Sequence, residues 1–193
     1  MPASLKGQFL IATPSMGDKR FFETIIYMID HNKDGAMGLV INIPMHDMQF
    51  SDVLKEMKLG KKEELINLSP DIQTRAVLAG GPVDKSRGFV LHSKDYMQKD
   101  NSFSINDEIS MTATSDVLKA IAFGKPPKKS LFALGYCGWS AMQLENELKN
   151  NGWLITPFTS ALLFNIPLEE RYDFALAQIG ATRASLSPTF GNA

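Results

Sequence analysis

Cys137 is the residue whose type and position could do the most chemistry, because it is the only cysteine among 193 residues. It lies in "LGYCGWS" (134–140), between an apolar and an amphipathic run, and this pattern predicts a strand, a sharp corner and a helix start. Such a corner can expose a nucleophile, and a helix N-terminus lowers the pKa of a thiol. The hydrolase elbow also needs small residues two positions before and two after the nucleophile. Gly135 meets this requirement and Trp139 does not.

We therefore interpret Cys137 as a small buried residue at a tight corner, since free cysteine is among the most buried residue types. The alternative is an enzyme of unrecognised type that uses Cys137 or a serine as its nucleophile. A thiolate would need an imidazole within hydrogen-bond distance, and the chain has only His31, His46 and His92 to provide it. No GxSxG or SxxK pattern frames a serine.

Sequence motifs for metals and cofactors are absent. No two of the three histidines lie within a ligand spacing of each other, and no HExxH, CxxC or EF-hand pattern occurs. The phosphate-binding patterns GxxxxGK[ST] and GxGxxG are also missing. The sequence therefore predicts no metal site and no cofactor.

Backbone amides offer a different chemistry, the recognition of a small anion. Two glycine-containing segments, "AGGPVDKSRG" at 79–88 and "GYCGWS" at 135–140, are predicted at a strand end and a helix start, where aligned N–H groups can bind an anion and an arginine can add a bidentate contact. The predicted ligand-binding residues are Gly80, Gly81, Arg87, Gly135, Gly138 and Trp139. The alternative interpretation is that these glycines only permit turns with positive φ.

Composition and charge limit the classes of partner. The chain is 44% hydrophobic and 21% charged, and it has no apolar run long enough to span a membrane. Twenty basic residues against 21 acidic ones leave no basic surplus for a polyanion, so we expect no direct nucleic-acid binding. The N-terminal sequence lacks a secretory apolar region, which favours a cytoplasmic protein. The expected partner is another protein or a small anionic ligand.

The first half of the chain reads mainly as strands. "QFLIAT" (8–13) is a buried strand, and Asp34-Gly35 predicts a hairpin turn between "ETIIYMID" and "AMGLVIN". A helix is predicted from Ser51 to Gly60, after which "KKEELINLSPDIQT" reads as a polar connection. Residues 75–93 predict a strand, a glycine loop and a second strand.

The second half combines strands with helices. "EISMTAT" predicts a strand and "TSDVLKAIAFG" a helix capped by Ser115, followed by a buried strand at "SLFALGY". Ser140 and Gln143 predict a capping box at the start of the next helix, which we expect Trp139 and Trp153 to pack onto the sheet. "WLITPF" and "ALLFNI" read as strands, and Pro167 opens a last helix.

Hairpin stretches dominate the first half and strand–helix units the second, which indicates an α+β fold. No repeat and no linker divides the chain, so we predict a single domain over 1–180. Residues 181–193 lack periodicity and are expected to be a mobile, dispensable tail.

Seven segments in this order resemble the bacterial YqgE/AlgH family over nearly the whole chain. They are "LKGQFLIATPSM" (5–16), "HNKDGAMGLVIN" (31–42), "GGPV" (80–83), "RGFVLH" (87–92), "LGY" with Trp139, "QLENEL" and "NGWL". The resemblance implies an α+β fold with a bent, partly barrel-like mixed sheet flanked by helices. It also implies a cytosolic protein without an established catalytic activity, in a family of which one branch is described as transcriptional regulators.

Two positions depart from the family's usual pattern. Cys137 stands where the family usually has alanine or another small residue, which argues against a nucleophilic role for the thiol. Met142 stands where a glycine usually precedes "QLE", so a groove over the first turn of that helix would be narrower in this chain. The resemblance assigns no functional residues. The function expected from the sequence is therefore a non-enzymatic binding or regulatory protein.

Overall fold

Strands and helices follow each other irregularly along the chain, which confirms the predicted α+β class. The computed structural model describes residues 4–98 and 100–186. The strands are β1 Phe9–Ala12, β2 Ile25–Asn32, β3 Gly35–Val40, β4 Pro44–Gln49, β5 Ala76–Ala79, β6 Val83–Ser93, β7 Ser102–Ser104, β8 Ile109–Thr112, β9 Ser130–Ser140 and β10 Trp153–Thr156. The helices are α1 Phe50–Glu56, α2 Lys62–Ile66, α3 Pro70–Gln73, α4 Ser115–Phe123, α5 Gln143–Lys149, α6 Ser160–Phe164, α7 Arg171–Gln178 and α8 Arg183–Leu186. Two 3-10 turns, Lys19–Phe21 and Leu168–Glu170, complete the fold.

The chain divides into two compact units. The first consists of Met1–Asn42 with Gly138–Ala193 and the second of Ile43–Cys137, each as far as the chain is described. Strand β9 contributes its first eight residues to the second unit and its last three to the first. The single domain over 1–180 stays a prediction.

The first unit is built on antiparallel strands in the order β10-β1-β2-β3. All four residues of β1 are buried, as expected for the apolar run "QFLIAT". Helix α7 packs on β1, β2 and β10. The hydroxyl of Tyr172 donates to the carbonyl of Ala12 at 2.7 Å, and the buried Arg171 donates to the carbonyls of Ile41 and Ile166, which fixes this helix on the sheet.

The second unit contains a mixed sheet. Strand β5 runs parallel to β9, and the other strand pairs, β4 with β5, β6 with both β9 and β8, and β7 with β8, are antiparallel. Helices α1 and α4 present their apolar faces to a common core with this sheet. The core comprises Phe50, Val53, Leu54, Leu59, Leu68, Val77, Val90, Val117, Leu118, Ile121 and Phe132.

Several sequence predictions are confirmed with small shifts. The hairpin joins β2 and β3, but its two turn residues are Lys33 and Asp34, and Gly35 already pairs with Asn32. Helix α4 begins at Ser115 with Thr114 as its N-cap, one residue before the predicted cap.

Other predictions are wrong. The run "ALLFNI" forms helix α6, because the hydroxyl of Thr159 accepts from the amide of Leu162 and caps a helical turn. An apolar run of this length cannot by itself distinguish a buried strand from a helix. The segment described as a polar connection contains helices α2 and α3.

The structure describes only part of the predicted tail. Residues Arg183–Leu186 form helix α8, and the arginine pairs with Asp173 and Glu23. Residues 187–193 lie outside the described residues, so the dispensable tail stays a prediction. No helix in the described chain combines the length and the apolar character needed to cross a membrane.

Candidate functional site

The thiol of Cys137 is enclosed within strand β9 rather than placed at a corner. The residue is 1% exposed, and its Sγ donates to the carbonyl oxygen of Gly80 at 3.6 Å. The strand continues to Ser140 and the helix begins only at Gln143, so the predicted corner at Cys137 is wrong. The interpretation as a small buried residue is confirmed.

The glycines around Cys137 allow two stretches of backbone to approach closely. A Cβ atom on Gly81 would lie 2.1 Å from the carbonyl carbon of Tyr136, and one on Gly135 would lie 2.5 Å from the carbonyl oxygen of Gly81. The amide of Gly80 donates to the carbonyl of Leu134 at 2.8 Å. Three of the predicted site residues, Gly80, Gly81 and Gly135, therefore lie together in the second unit. At Gly81 and Gly135 a larger residue would collide with the neighbouring backbone, which explains why glycine is present there.

The remaining predicted site residues occupy other positions than expected. Gly135 and Gly138 lie in β9 and not at a helix start, because the helix begins further along the chain. Arg87 lies in strand β6 and not in a loop, and its guanidinium stands 5.4 Å from the ring centroid of Phe89. Alternate residues of a strand face opposite sides, so Arg87 and Phe89 share the face opposite to Gly88.

Trp139 belongs to a polar cluster of the first unit. The sequence predicted the two tryptophans of this cluster but not their shared acceptor. The indole N–H groups of Trp139 and Trp153 donate to the same carboxylate oxygen of Glu147, at 2.9 and 2.7 Å. The amide of Gln143 donates to the other oxygen at 3.0 Å. The two tryptophans thus hold α5 as predicted, and Glu147 is the partner whose identity only the fold reveals.

His31 of the first unit has both ring nitrogens occupied. Its Nδ1 accepts from the amide of Leu5 at 3.0 Å, so the proton must be on Nε2, which lies 3.2 Å from a carboxylate oxygen of Glu145. Hydrogen bonding by its own backbone amide, together with the His31 ring, lowers the pKa of the Glu145 carboxyl below its ordinary value. This histidine fixes the N-terminal segment and is not free to act as a general base.

His92 of the second unit is fully buried and also has both ring nitrogens occupied. Its Nδ1 lies 3.0 Å from the carbonyl oxygen of Ser93 and its Nε2 lies 2.9 Å from the hydroxyl of Thr112. A carbonyl can only accept, so Nδ1 carries the proton and Nε2 accepts from Thr112. Burial lowers the pKa of His92 below its ordinary value, which keeps the ring neutral.

The first unit contains a cavity of about 210 Å³, named here the β1 cavity. It is lined by Ala12, Thr13, Pro14, Phe22, Glu23, Tyr172, Arg183 and Leu186. The guanidinium of Arg183 bonds to the carboxylates of Glu23 and Asp173 and lies 4.8 Å from the ring centroid of Tyr172. Two carboxylates around one guanidinium make this cavity unfavourable for an anion.

The second unit contains a smaller cavity of about 120 Å³, named here the α4 cavity. It is lined by Met57, Ser86, Gly88, Val90, Thr112, Ala113, Thr114, Ser115, Leu118, Phe132 and Leu134. Hydroxyl groups and the start of α4 form its polar part, and aliphatic and aromatic side chains form the rest. Arg87 is not among the lining residues, consistent with its place on the other face of β6.

Metal chemistry finds no support in the described part of the chain. Within residues 4–98 and 100–186, no three histidine, cysteine, aspartate or glutamate side chains come together as a metal would require. The two buried histidines use their nitrogens for the hydrogen bonds described above.

Residues 9–184 match the sequence profile of the AlgH-like family. The chain belongs to the AlgH-like family. Relatives include a UPF0301 protein of Bradyrhizobium sp., 45% identical over 98% of this chain and 88% of the relative, and a UPF0301 protein of Mesorhizobium japonicum, 47% identical over 98% and 93%.

Solved structures of similar proteins agree with this assignment. The solution structure of the AlgH protein from Pseudomonas aeruginosa is 41% identical in sequence, with a TM-score of 0.79 over 100% of this chain and 98% of that one. A crystal structure of a Corynebacterium diphtheriae protein shares 18% identity and a TM-score of 0.66 over 91% and 86%, which is a likeness of fold alone.

The positive φ of Met142 can be compared with the usual pattern of the AlgH-like family. This residue caps α5 with φ of 64°, in the left-handed region that glycine adopts without strain. The glycine noted at the equivalent point of the family pattern would fit this conformation. The Met142 side chain is half exposed.

Proposed function

We propose that this AlgH-like chain is a non-enzymatic binding protein with a regulatory role, and that it holds a small anionic ligand in the α4 cavity. The composition of that cavity carries the proposal. Hydroxyl-bearing residues and the start of α4 line one part, apolar side chains line the other, and none of its described lining residues is acidic.

The polar part of the cavity favours a negatively charged group. Thr114 and Ser115 stand at the beginning of α4, a helix of nine residues whose positive dipole end lies there. The hydroxyl of Thr114 donates to the side-chain oxygen of Gln98 at 3.0 Å and does not cap the first-turn amides. Asp116 in the same turn is exposed and is not a lining residue.

The size of the cavity limits the ligand. An apolar cavity of about 150 Å³ holds benzene, so about 120 Å³ accommodates roughly five or six heavy atoms. A carboxylate at the start of α4 with a short alkyl chain against Leu118 and Phe132 satisfies both parts of the wall. We infer that short-chain carboxylates are the ligand class.

Titration with a carboxylate series tests this proposal. Calorimetry and thermal unfolding with acetate, propionate, butyrate and hexanoate are expected to show strongest binding at three or four carbons. With a Kd of about 1 mM, 10 mM ligand stabilises the fold by about 1.4 kcal/mol, which raises Tm by about 3–6 °C. Butyramide, which has the same shape without the charge, serves as the control ligand and is expected to bind at least tenfold more weakly.

A pair of alanine variants locates the site. Ala113→Leu adds bulk to the exposed part of the cavity lining and is expected to abolish the butyrate shift, whereas Ala76→Leu adds the same side chain at an exposed position of β5 outside the cavity. No Tm shift with any of the four acids, equal binding of butyramide, or unchanged butyrate binding by Ala113→Leu contradicts the proposal.

The environment of Cys137 supports a binding role over the enzymatic alternative. Its thiol is buried and donates to a carbonyl, and the nitrogens of both His31 and His92 are committed to other partners. Iodoacetamide labelling of the native protein tests this, and labelling faster than that of free cysteine at neutral pH favours a thiolate enzyme.

The balanced charge gives the chain no overall attraction for DNA, so we assign any regulatory effect to a protein partner in the cytoplasm. We propose this indirect route for any influence on transcription. Retention on nonspecific DNA that weakens with salt contradicts it.

A further inference from the structure

Strand β6 extends well past the strand that covers one of its edges. It is eleven residues long and lies between β9 and β8 in the sheet of the second unit. Its pairing with β8 covers only Val90–Ser93, where Val90 lies opposite Thr112. After Thr112 the chain leaves the sheet and enters helix α4. Within the part of the chain that the structure describes, residues 83–89 of β6 therefore have no neighbouring strand on the β8 side, and we call this stretch the open β6 edge.

The peptide groups of Gly88 point toward the open β6 edge. In an antiparallel ladder the N–H and C=O groups of one residue point to the same side, and successive residues alternate. Lys94, directly after β6, donates its amide to the carbonyl of Glu108, directly before β8, so the even-numbered residues from Gly88 onward face the β8 side. The residue opposite Gly88 in β9 is Leu134, and its carbonyl accepts from Gly80 on the far side of β9. Gly88 therefore offers a donor and an acceptor where β8 has already ended.

The α4 cavity lies against the open β6 edge. Ser86 and Gly88 line it from β6, and Thr112 lines it from the end of β8. The proposed ligand of this cavity is a carboxylate with a short alkyl chain. The last residue of a polypeptide carries these two groups on one Cα atom. The carboxylate, Cα and Cβ of a terminal alanine lie within the roughly five or six heavy atoms that the cavity accommodates.

We infer that the α4 cavity and the open β6 edge together bind the C-terminal segment of a partner protein, an assignment that rests on the proposed carboxylate site and names its ligand. The segment adds a strand beside β6, its main chain bonds to Gly88, and its terminal carboxylate and last side chain enter the cavity. The cavity lies at the Val90 end of the open β6 edge, so the added strand runs parallel to β6.

The charges on β6 favour an acidic segment. Residues 83–87 are exposed, and among them Lys85 and Arg87 are basic. The one acidic residue of this stretch, Asp84, accepts from the hydroxyl of Ser86 at 2.9 Å. Arg87 lies on the face opposite the cavity, and side chains of the added strand also alternate between the two faces. When the last side chain enters the cavity, the side chain before it lies on the Arg87 face, where a carboxylate is complementary.

The acetylated peptide Ac-TETEA has the required pattern, with glutamates at alternate positions and a terminal alanine. Two main-chain hydrogen bonds beyond those of butyrate tighten binding by about 30-fold, which corresponds to a Kd of about 30 μM in calorimetry if butyrate binds at about 1 mM. The same peptide with a C-terminal amide tests the carboxylate, and Ac-TETEF tests the size of the cavity. Both are expected to bind at least about tenfold more weakly than Ac-TETEA.

Methylation of backbone nitrogens tests whether the peptide pairs as a strand. The N–H groups of a strand alternate between its two edges, so the central threonine and the second glutamate of Ac-TETEA present theirs to opposite sides. Two peptides are compared, each with one methyl group on one of these two nitrogens. One is expected to bind about tenfold more weakly than Ac-TETEA and the other within about threefold of it.

A charge reversal on the protein tests the place of the segment on β6. Arg87→Glu is expected to weaken binding of Ac-TETEA by at least about fivefold and to make Ac-TKTKA the tighter ligand of the two. Lys62→Glu makes the same charge change at an exposed position of α2 and is expected to change both affinities by less than about twofold.

Failure of this inference is distinguishable from failure of the proposed carboxylate site. Butyrate binding without tighter binding of Ac-TETEA overturns the inference and leaves the carboxylate site in place. Equal affinities of the two methylated peptides, or an Arg87→Glu variant that still prefers Ac-TETEA, have the same meaning. The absence of binding by both butyrate and Ac-TETEA overturns the carboxylate site and the inference together.

Discussion

Replacing Glu147 is the sharpest test of how the first unit holds helix α5. One oxygen of this carboxylate accepts from both tryptophans of the chain, and the other accepts from Gln143. Trp139 is 7% exposed and Trp153 is 2% exposed, so neither indole N–H can turn to bulk solvent when the acceptor is removed.

The expected magnitude follows from these contacts. Glu147→Leu leaves two buried N–H donors without their acceptor, and each costs about 1–3 kcal/mol, so the free energy of unfolding is expected to fall by about 4 kcal/mol. Glu147→Gln keeps one oxygen for the indoles and loses the charge, at about 1 kcal/mol for each of the two indole bonds, and its NH2 group can no longer accept from Gln143. Tm is expected to fall by about 8–16 °C for leucine and about 4–8 °C for glutamine.

Urea unfolding followed by circular dichroism gives the global stability, and tryptophan fluorescence reports the cluster, because the chain has no third tryptophan. Asn146→Leu, at an exposed position of the same helix, is the matched control and is expected to change stability by less than about 0.5 kcal/mol. A Glu147→Leu variant within about 0.5 kcal/mol of the wild type would refute this reasoning.

Three further changes have defined outcomes. Met142→Gly relieves a left-handed backbone and is expected to stabilise the fold by about 0.5–1 kcal/mol in urea unfolding, and a loss of stability contradicts the strain. Gly81→Ala places a Cβ 2.1 Å from the carbonyl carbon of Tyr136 and is expected to cost about 3 kcal/mol or more, whereas Gly17→Ala meets no atom within 4 Å and is expected to be neutral. Cys137 is expected to react with a thiol reagent only after unfolding, and stoichiometric labelling of the native protein contradicts its burial.

Local signals predicted much of the fold. The hairpin after Asn32, the helix from Ser115 and the strand pair at 75–93 were readable because turn residues, caps and apolar periodicity agree there. The prediction of a strand at "ALLFNI" was wrong because its five apolar residues fit either a buried strand or a helical turn. Tertiary packing decides between the two. The start of α5 was predicted too early. Ser140 and Gln143 do form the hydrogen bonds expected of a capping box, but Ser140 is the last residue of strand β9 and not the N-cap of the helix.

The candidate site was less accessible to sequence reasoning. The α4 cavity combines residues from β6, β8, β9 and α4 with Met57, which follows α1, and no local sequence pattern predicts that these residues meet. Arg87 is close in sequence to Gly80 and Gly81, which suggested a shared site. Successive side chains of strand β6 point to opposite faces, however, and Arg87 lies on the face opposite the α4 cavity. Recognition by Gly80, Gly81, Gly135 and Gly138 stays a prediction.

The central claim, that the second unit binds a short carboxylate in the α4 cavity, is tested most directly by amide NMR during a titration with butyrate. The account predicts saturable shifts concentrated at Ser86, Gly88, Thr114 and Ser115, and their loss in Ala113→Leu. Shifts concentrated at Gly80, Gly81 and Gly138, or no saturable shift at any amide, would contradict it.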